Sequence, residues 1–168
     1  MTETRWLSDS EQRMWRAYVD MCRYLLQALD RQFAATGLSS ADYELLVPLS
    51  EAPGQRLRAR DLGRSVHWDR SRLSHQLRRM EQRGLLKRQD CPDDARGVTV
   101  HLTPEGRAAI EAAAPGHVET VRRLFVDQLT PEEIDALTTI SYRVLSRIAK
   151  ESLAPGKSVY VATIDQEA

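Results

Sequence analysis

Apolar residues recur every three or four positions along most of this chain, and the recurrence gives way to alternation near residue 100. A first helix is expected from Ser8, which has capping-box spacing to Glu11, to Gly37, which suits a helix end. Within it Met14, Tyr18, Met21, Leu25 and Leu29 make one apolar stripe, and Trp15, Cys22, Leu26 and Phe33 make a second beside it. Two adjacent stripes are wider than one buried face requires, so this helix is expected to pack on its own chain and on a partner chain. Ser39 caps a second helix through Leu45, Leu46 and Leu49, which Pro48 is expected to bend or break. After a turn at Pro53-Gly54, R-A-R-D-L-G-R-S-V reads as a short third helix with Leu62 and Val66 inward. His67-Trp68 form the next turn, and Asp69 caps a fourth helix that Gly84 ends.

Residues 85–90 and 98–102 read as strands, with Val98, Val100 and Leu102 alternating against Thr99 and His101. P-D-D-A-R-G is the turn between them. Thr103-Pro104-Glu105 opens a fifth helix with a kink expected at Pro115-Gly116, and T-P-E-E at 130–133 opens a sixth through Ile134, Leu137, Val144, Leu145 and Ile148. Residues 152–168 are expected to form a loosely ordered tail. The fold class is therefore mainly α with a small β-hairpin.

Charge sharpens this picture. The chain is formally neutral, yet residues 56–102 carry 12 Lys/Arg against 6 Asp/Glu, so the remainder is correspondingly acidic. Positive charge concentrated in the middle third points to a polyanion partner there. On the fourth helix Leu73, Leu77, Met80 and Gly84 share one side, and Ser71, His75, Arg78 and Arg79 take the opposite side with Arg72 on its shoulder. These residue types read base edges or hold phosphates; the alternative is a solvated basic surface. At the hairpin tip Arg96 has Asp94 two residues before it, a carboxylate able to orient a guanidinium for a narrow minor groove. A weak surface ion pair is the bland alternative.

The order of helices and hairpin, with G-L-S-S-A-D-Y-E-L-L at 37–46, L-R-R-M-E-Q-R-G-L-L at 77–86, D-D-A-R-G at 93–97 and L-T-P-E-G-R at 102–107, resembles the MarR family of bacterial transcriptional regulators. The resemblance covers residues 8–150. It implies a winged helix-turn-helix over 38–103 and dimerisation helices over 8–36 and 104–151. It also implies a homodimer that binds double-stranded DNA at a palindromic operator, acts as a repressor, and is released by a small effector. Carried onto this chain, the DNA-binding residues are Ser71, Arg72, His75, Arg78, Arg79, Asp94 and Arg96. The Trp68-Asp69 turn departs from the family's pattern, a departure able to shift by one position which residues reach bases.

Other chemistry is thinly represented. The N-terminus has no apolar signal core and no apolar run reaches the length of a membrane span, so a cytoplasmic protein without a membrane partner is expected. The four histidines and two cysteines lack metal-ligand spacing, and no nucleophile–base pair or phosphate loop stands out, so neither metal, cofactor nor enzyme activity is expected. Cys22 reads as a small buried residue, with thiol-based redox sensing as the alternative. Cys91 lies among Asp90, Asp93 and Asp94, whose field disfavours a thiolate. Trp15, Tyr18, Tyr43 and Trp68 are candidates to line a pocket for a lipophilic or phenolic effector, against the alternative of aromatic core packing. The rival function is a winged helix that docks a protein and binds no DNA, which would place aromatic or aliphatic anchors where the arginines lie.

Overall fold

The computed structural model of the chain describes residues 4–91 and 94–152, with side chains described at 4–90 and 97–151. Six helices are present: α1 (Asp9–Ala34), α2 (Ser40–Glu51), α3 (Ala59–Ser65), α4 (Arg70–Gln82), α5 (Pro104–Leu124) and α6 (Pro131–Ser152). Three strands, β1 (Arg56–Arg58), β2 (Leu86–Cys91) and β3 (Asp94–Leu102), form an antiparallel sheet in the order β1-β3-β2. No described helix is long and apolar enough to cross a membrane.

The helix starts follow local chemistry. Ser8 with Glu11 and Ser39 with Asp42 form reciprocal capping boxes, satisfying backbone N–H groups that a first turn leaves free. Asp69 accepts from the backbone of Ser71 and Arg72, and Thr103 accepts from Gly106. The end of α4 is closed by Gly84 at φ +74°, with Leu85 N–H bonded to the Met80 carbonyl.

The core lies where α2, α3, α4 and the sheet meet. Leu45, Leu46, Leu49, Leu62, Leu73, Leu77, Met80, Leu86 and Val100 are all buried there. α5 joins this core through Ile110 and Ala113, and further along it packs on α1 beside Phe33. The approach of α5 is close at its start. A Cβ on Gly106 would stand 2.0 Å from the Leu85 carbonyl oxygen, which explains why L-T-P-E-G-R carries glycine.

Several expectations are corrected. β1 was unforeseen; its Arg-Leu-Arg sequence has no strand signature and pairs with β3 at Arg56↔His101 and Arg58↔Thr99. β3 begins at Asp94, not 98, so most of the anticipated turn is strand. Pro48 neither breaks nor ends α2, because it lies in the last turn and removes one backbone bond; the end is closed by Ala52 N–H to the Pro48 carbonyl. α5 also runs unbroken through Pro115-Gly116, both exposed, with Gly116 giving room to the Gln32 amide. Cys22 is half-buried, not buried.

The outer helices differ from the core. Trp6 and Leu7 before α1, together with Met14, Trp15, Tyr18, Met21 and Leu26 on it, are exposed. On α6 the same holds for Ile134, Ile140, Tyr142, Val144, Leu145 and Ile148, and only Ala149 among its described residues is buried.

Gly106→Ala is expected to cost about 3 kcal/mol or more of unfolding free energy, because backbone must move to admit one methyl group. Urea denaturation of the variant beside the wild-type chain measures it.

Candidate nucleic-acid interface

α4 buries Leu73, Gln76, Leu77 and Met80 and exposes the residues between them. Arg70, Ser71, Ser74, His75 and Arg78 line a shallow open groove along its outer side, with Arg72 and Arg79 exposed beside it. None of Arg70, Arg72, Arg78 and Arg79 has a carboxylate within 4.0 Å among the described residues, whereas Arg23, Arg64, Arg107, Arg122 and Arg147 each do. Four unneutralised guanidiniums on one helix make a strongly attractive surface for a polyanion.

The hairpin is attached to this helix by an ion pair. Arg88 at the base of β2 donates from its backbone, Nε and Nη2 to the Glu81 carboxylate at 2.9, 2.8 and 2.5 Å. These bonds hold the Glu81 carboxyl below its usual range against a smaller opposing effect of burial. Sequence reasoning missed this pair, although its mixed charges at a helix end and a strand start were visible. The side chains of Asp94, Arg96 and Cys91 lie outside the described residues.

Residues 38–98 match the MarR family. The fold is similar to Sco3205 of Streptomyces coelicolor, solved in complex with DNA, at 39% identity and TM-score 0.86 over 94% of this chain and 99% of that one. It is likewise similar to AbsC of Streptomyces coelicolor, a MarR family transcriptional regulator, at 40% identity and TM-score 0.84 over 86% and 98%. The HTH-type transcriptional repressor YetL of Bacillus subtilis is 23% identical over 130 residues, 77% of each chain. The chain belongs to the MarR family.

As a MarR-family protein it is a DNA-binding transcriptional regulator with a winged helix, and its relatives are regulators rather than enzymes. Behind α4 a buried network fixes the helix in place. Asp42, without solvent exposure, accepts from Gln76 Nε2 and Arg83 Nη1, both at 2.7 Å, and from its own N-cap backbone at Ser39. Arg83 Nη2 also donates to the Gly37 carbonyl. Burial works to raise the Asp42 carboxyl, but Arg83 and Ser39 together outweigh it and hold the group below the ordinary 3.8.

The four aromatic pocket candidates have separate surroundings. Trp15 and Tyr18 stack with centroids 5.9 Å apart on the exposed side of α1, where Cys22 pushes the Tyr18 hydroxyl up. Tyr43 is half-buried against Phe33 and His117. Trp68 is buried, donates its indole N–H to Glu44 at 3.0 Å, and carries the Arg72 guanidinium 3.8 Å above its ring. No ring contact among the described residues joins these three groups.

Asp42→Asn keeps the shape and removes the charge, and is expected to cost about 2 kcal/mol at neutral pH. A group whose folded pKa lies below its unfolded value stabilises above the unfolded pKa and loses that contribution as pH falls through the folded one. The difference between wild type and Asp42→Asn should therefore be complete above pH about 5 and shrink in acid below about 4. Denaturant midpoints across that pH range measure it.

Proposed function

We propose that this MarR-family regulator is a homodimeric repressor that binds a palindromic operator and is released by a small lipophilic or phenolic effector. The observation that carries the reading is the row of unpaired arginines on α4, backed by a rigid core. In this reading Ser71, Arg72, His75, Arg78 and Arg79 meet the major groove, and Asp94 with Arg96 at the hairpin tip meets the neighbouring minor groove. Residues 38–103 are the DNA-binding unit, and 8–36 with 104–151 are the dimerisation helices.

The dimer is supported by the uncovered apolar residues of α1 and α6. A helix of 22 residues with six exposed large apolar side chains gains stability by burying them against a second copy. A two-fold dimer sets two recognition helices about one duplex turn apart, which a palindrome matches. The repressor role is supported by the name of the YetL relative, and by the ability of a dimer lying across a promoter to exclude polymerase.

The effector part rests on the junction where α1, α2 and α5 meet. Phe33, Tyr43 and His117 cluster there with centroids 4.6 to 5.2 Å apart, Phe33 stacked on His117 and Tyr43 tilted against both. Gln32 Oε1 and His117 Nδ1 are buried nearby without a hydrogen-bond partner, and desolvation lowers the His117 pKa. A planar ligand with a hydroxyl group suits apolar rings beside such atoms.

A shift assay on the DNA upstream of the chain's own gene tests the reading. Wild-type affinity should fall about a hundredfold or more between 50 and 200 mM salt, as neutralised phosphates release counterions. Arg78→Ala should weaken binding by about tenfold or more. Flat salt dependence with unchanged binding by Arg78→Ala would favour the protein-docking alternative. Separately, Ile140→Glu with Leu145→Glu should convert the dimer to monomers in sedimentation velocity, because two carboxylates cannot be buried unpaired. A wild-type chain that sediments as a monomer sinks the two-fold reading.

A further inference from the structure

We propose that Trp68 and Glu44 are positioning residues that aim Arg72 at a base edge, so that α2, which does not carry the arginine row, contributes to sequence preference. The inference rests on the reading that α4 binds DNA and goes beyond it by dividing the arginines into two kinds. Trp68 lies in the turn before α4 and is buried among the core leucines, so its ring is immobile. Its N–H donates to Glu44 at 3.0 Å, which removes the remaining freedom of the indole plane. The Arg72 guanidinium sits 3.8 Å above that plane, while its backbone N–H is held by Asp69 at 2.9 Å. Main chain and head group of Arg72 are therefore both fixed, yet the residue is exposed and has no carboxylate partner among the described residues.

A guanidinium stacked on a ring keeps its donors in the plane parallel to that ring, directed outward. Such a fork suits the paired acceptors O6 and N7 of guanine, which need one orientation. A phosphate can be met by an arginine in many orientations and gains little from this arrangement. Arg70, Arg78 and Arg79 have no such platform among the described residues, so they retain the freedom suited to the backbone or to adaptable contacts. Arg72 also lies in the first turn of α4, the end of a recognition helix that approaches bases.

The test begins with selection of bound duplexes from a random library by the full-length wild-type chain. Affinities for the selected duplex and for a random-sequence duplex of equal length are then measured by fluorescence anisotropy. Trp68→Leu, which keeps every charge, should lower the ratio of the two affinities about tenfold while leaving random-duplex binding unchanged. Arg72→Ala should lower the ratio by a similar factor and also weaken random-duplex binding by the loss of one cation, and the double variant should lose no more of the ratio than Arg72→Ala alone. Glu44→Ala should lower the ratio about threefold and Glu44→Gln, which keeps an acceptor oxygen, should restore it. Replacing one guanine by 7-deazaguanine should weaken wild-type binding and leave Trp68→Leu indifferent. Additive losses, or losses shared equally by the random duplex, would overturn the proposal while DNA binding itself stood. If Trp68→Leu fails to fold by circular dichroism, the Glu44 pair decides, and equal ratios for Glu44→Ala and wild type overturn it. Failure of the wild-type chain to select any duplex sinks the operator reading, and this inference with it.

Discussion

The carboxylate of Asp42 sits without solvent exposure between the start of α2 and the inner side of α4, and three separate stretches of chain donate to it. Ser39 donates from the turn after α1, Gln76 from α4 and Arg83 from its end, and Arg83 also donates to the Gly37 carbonyl. A buried charge is tolerated only where it is paired and its lone pairs are satisfied, so the network specifies one relative placement of these pieces. The outer arginines of α4 are useful only if their helix cannot roll. A roll of one residue, about 100 degrees, would bring Leu77 to the place of Arg78 or Met80 to that of Arg79. Apolar packing of Leu73, Leu77 and Met80 resists such a roll, and the directional bonds of Asp42 set its angle.

Apart from Gln32 Oε1 and His117 Nδ1, the same division between satisfied interior and unsatisfied exterior holds among the described residues. Inside, caps and the Asp42 and Glu81 pairs account for the polar groups near α4. Outside, among the described residues, two surfaces lack their complements: guanidiniums without carboxylates on α4, and large apolar side chains without cover on α1 and α6. The two call for different partners, a polyanion and an apolar helix face. The proposed operator and the proposed second copy are those partners, and neither can be exchanged for the other on chemical grounds.

Much of this was legible in the sequence because the relevant signals are local and periodic. The capping pair Ser8–Glu11, the Ser39 and Asp69 caps, and the stripe Leu73, Leu77, Met80 all appear as read. What escaped depends on pairing across distance. Asp42 passed unremarked in the sequence because its partners Gln76 and Arg83 lie 34 and 41 residues away. β1 exists because β3 offers it hydrogen bonds, not because Arg-Leu-Arg favours a strand. Trp68 was grouped with other aromatics by residue type, and its contacts with Glu44 and Arg72 could not be read from that. The prolines misled for the opposite reason. Their local rule is sound, but at a last turn or a solvent-facing position its cost is one hydrogen bond, which the surrounding packing absorbs.

α5 gives the proposed effector a mechanical route to the DNA-binding side. At its start, Gly106 abuts the Leu85 carbonyl and Thr103 bonds the Gly84 carbonyl, so that end is seated directly on the close of α4. Further along, Gly116 abuts Gln32 of α1, and His117 stacks on Phe33. The start of α5 has no side chain at Gly106 to yield, and its second half stacks His117 on Phe33, so a tilt at one contact is felt at the other. In the proposed reading, a ligand that enters among Phe33, Tyr43 and His117 acts on the same rod. Only a differential affinity of about 1–3 kcal/mol between two tilts is needed to change operator binding by roughly 5- to 150-fold. A pair of such rods in a two-fold dimer would convert each tilt into a change in the spacing of the two recognition helices, to which a duplex of fixed pitch is intolerant.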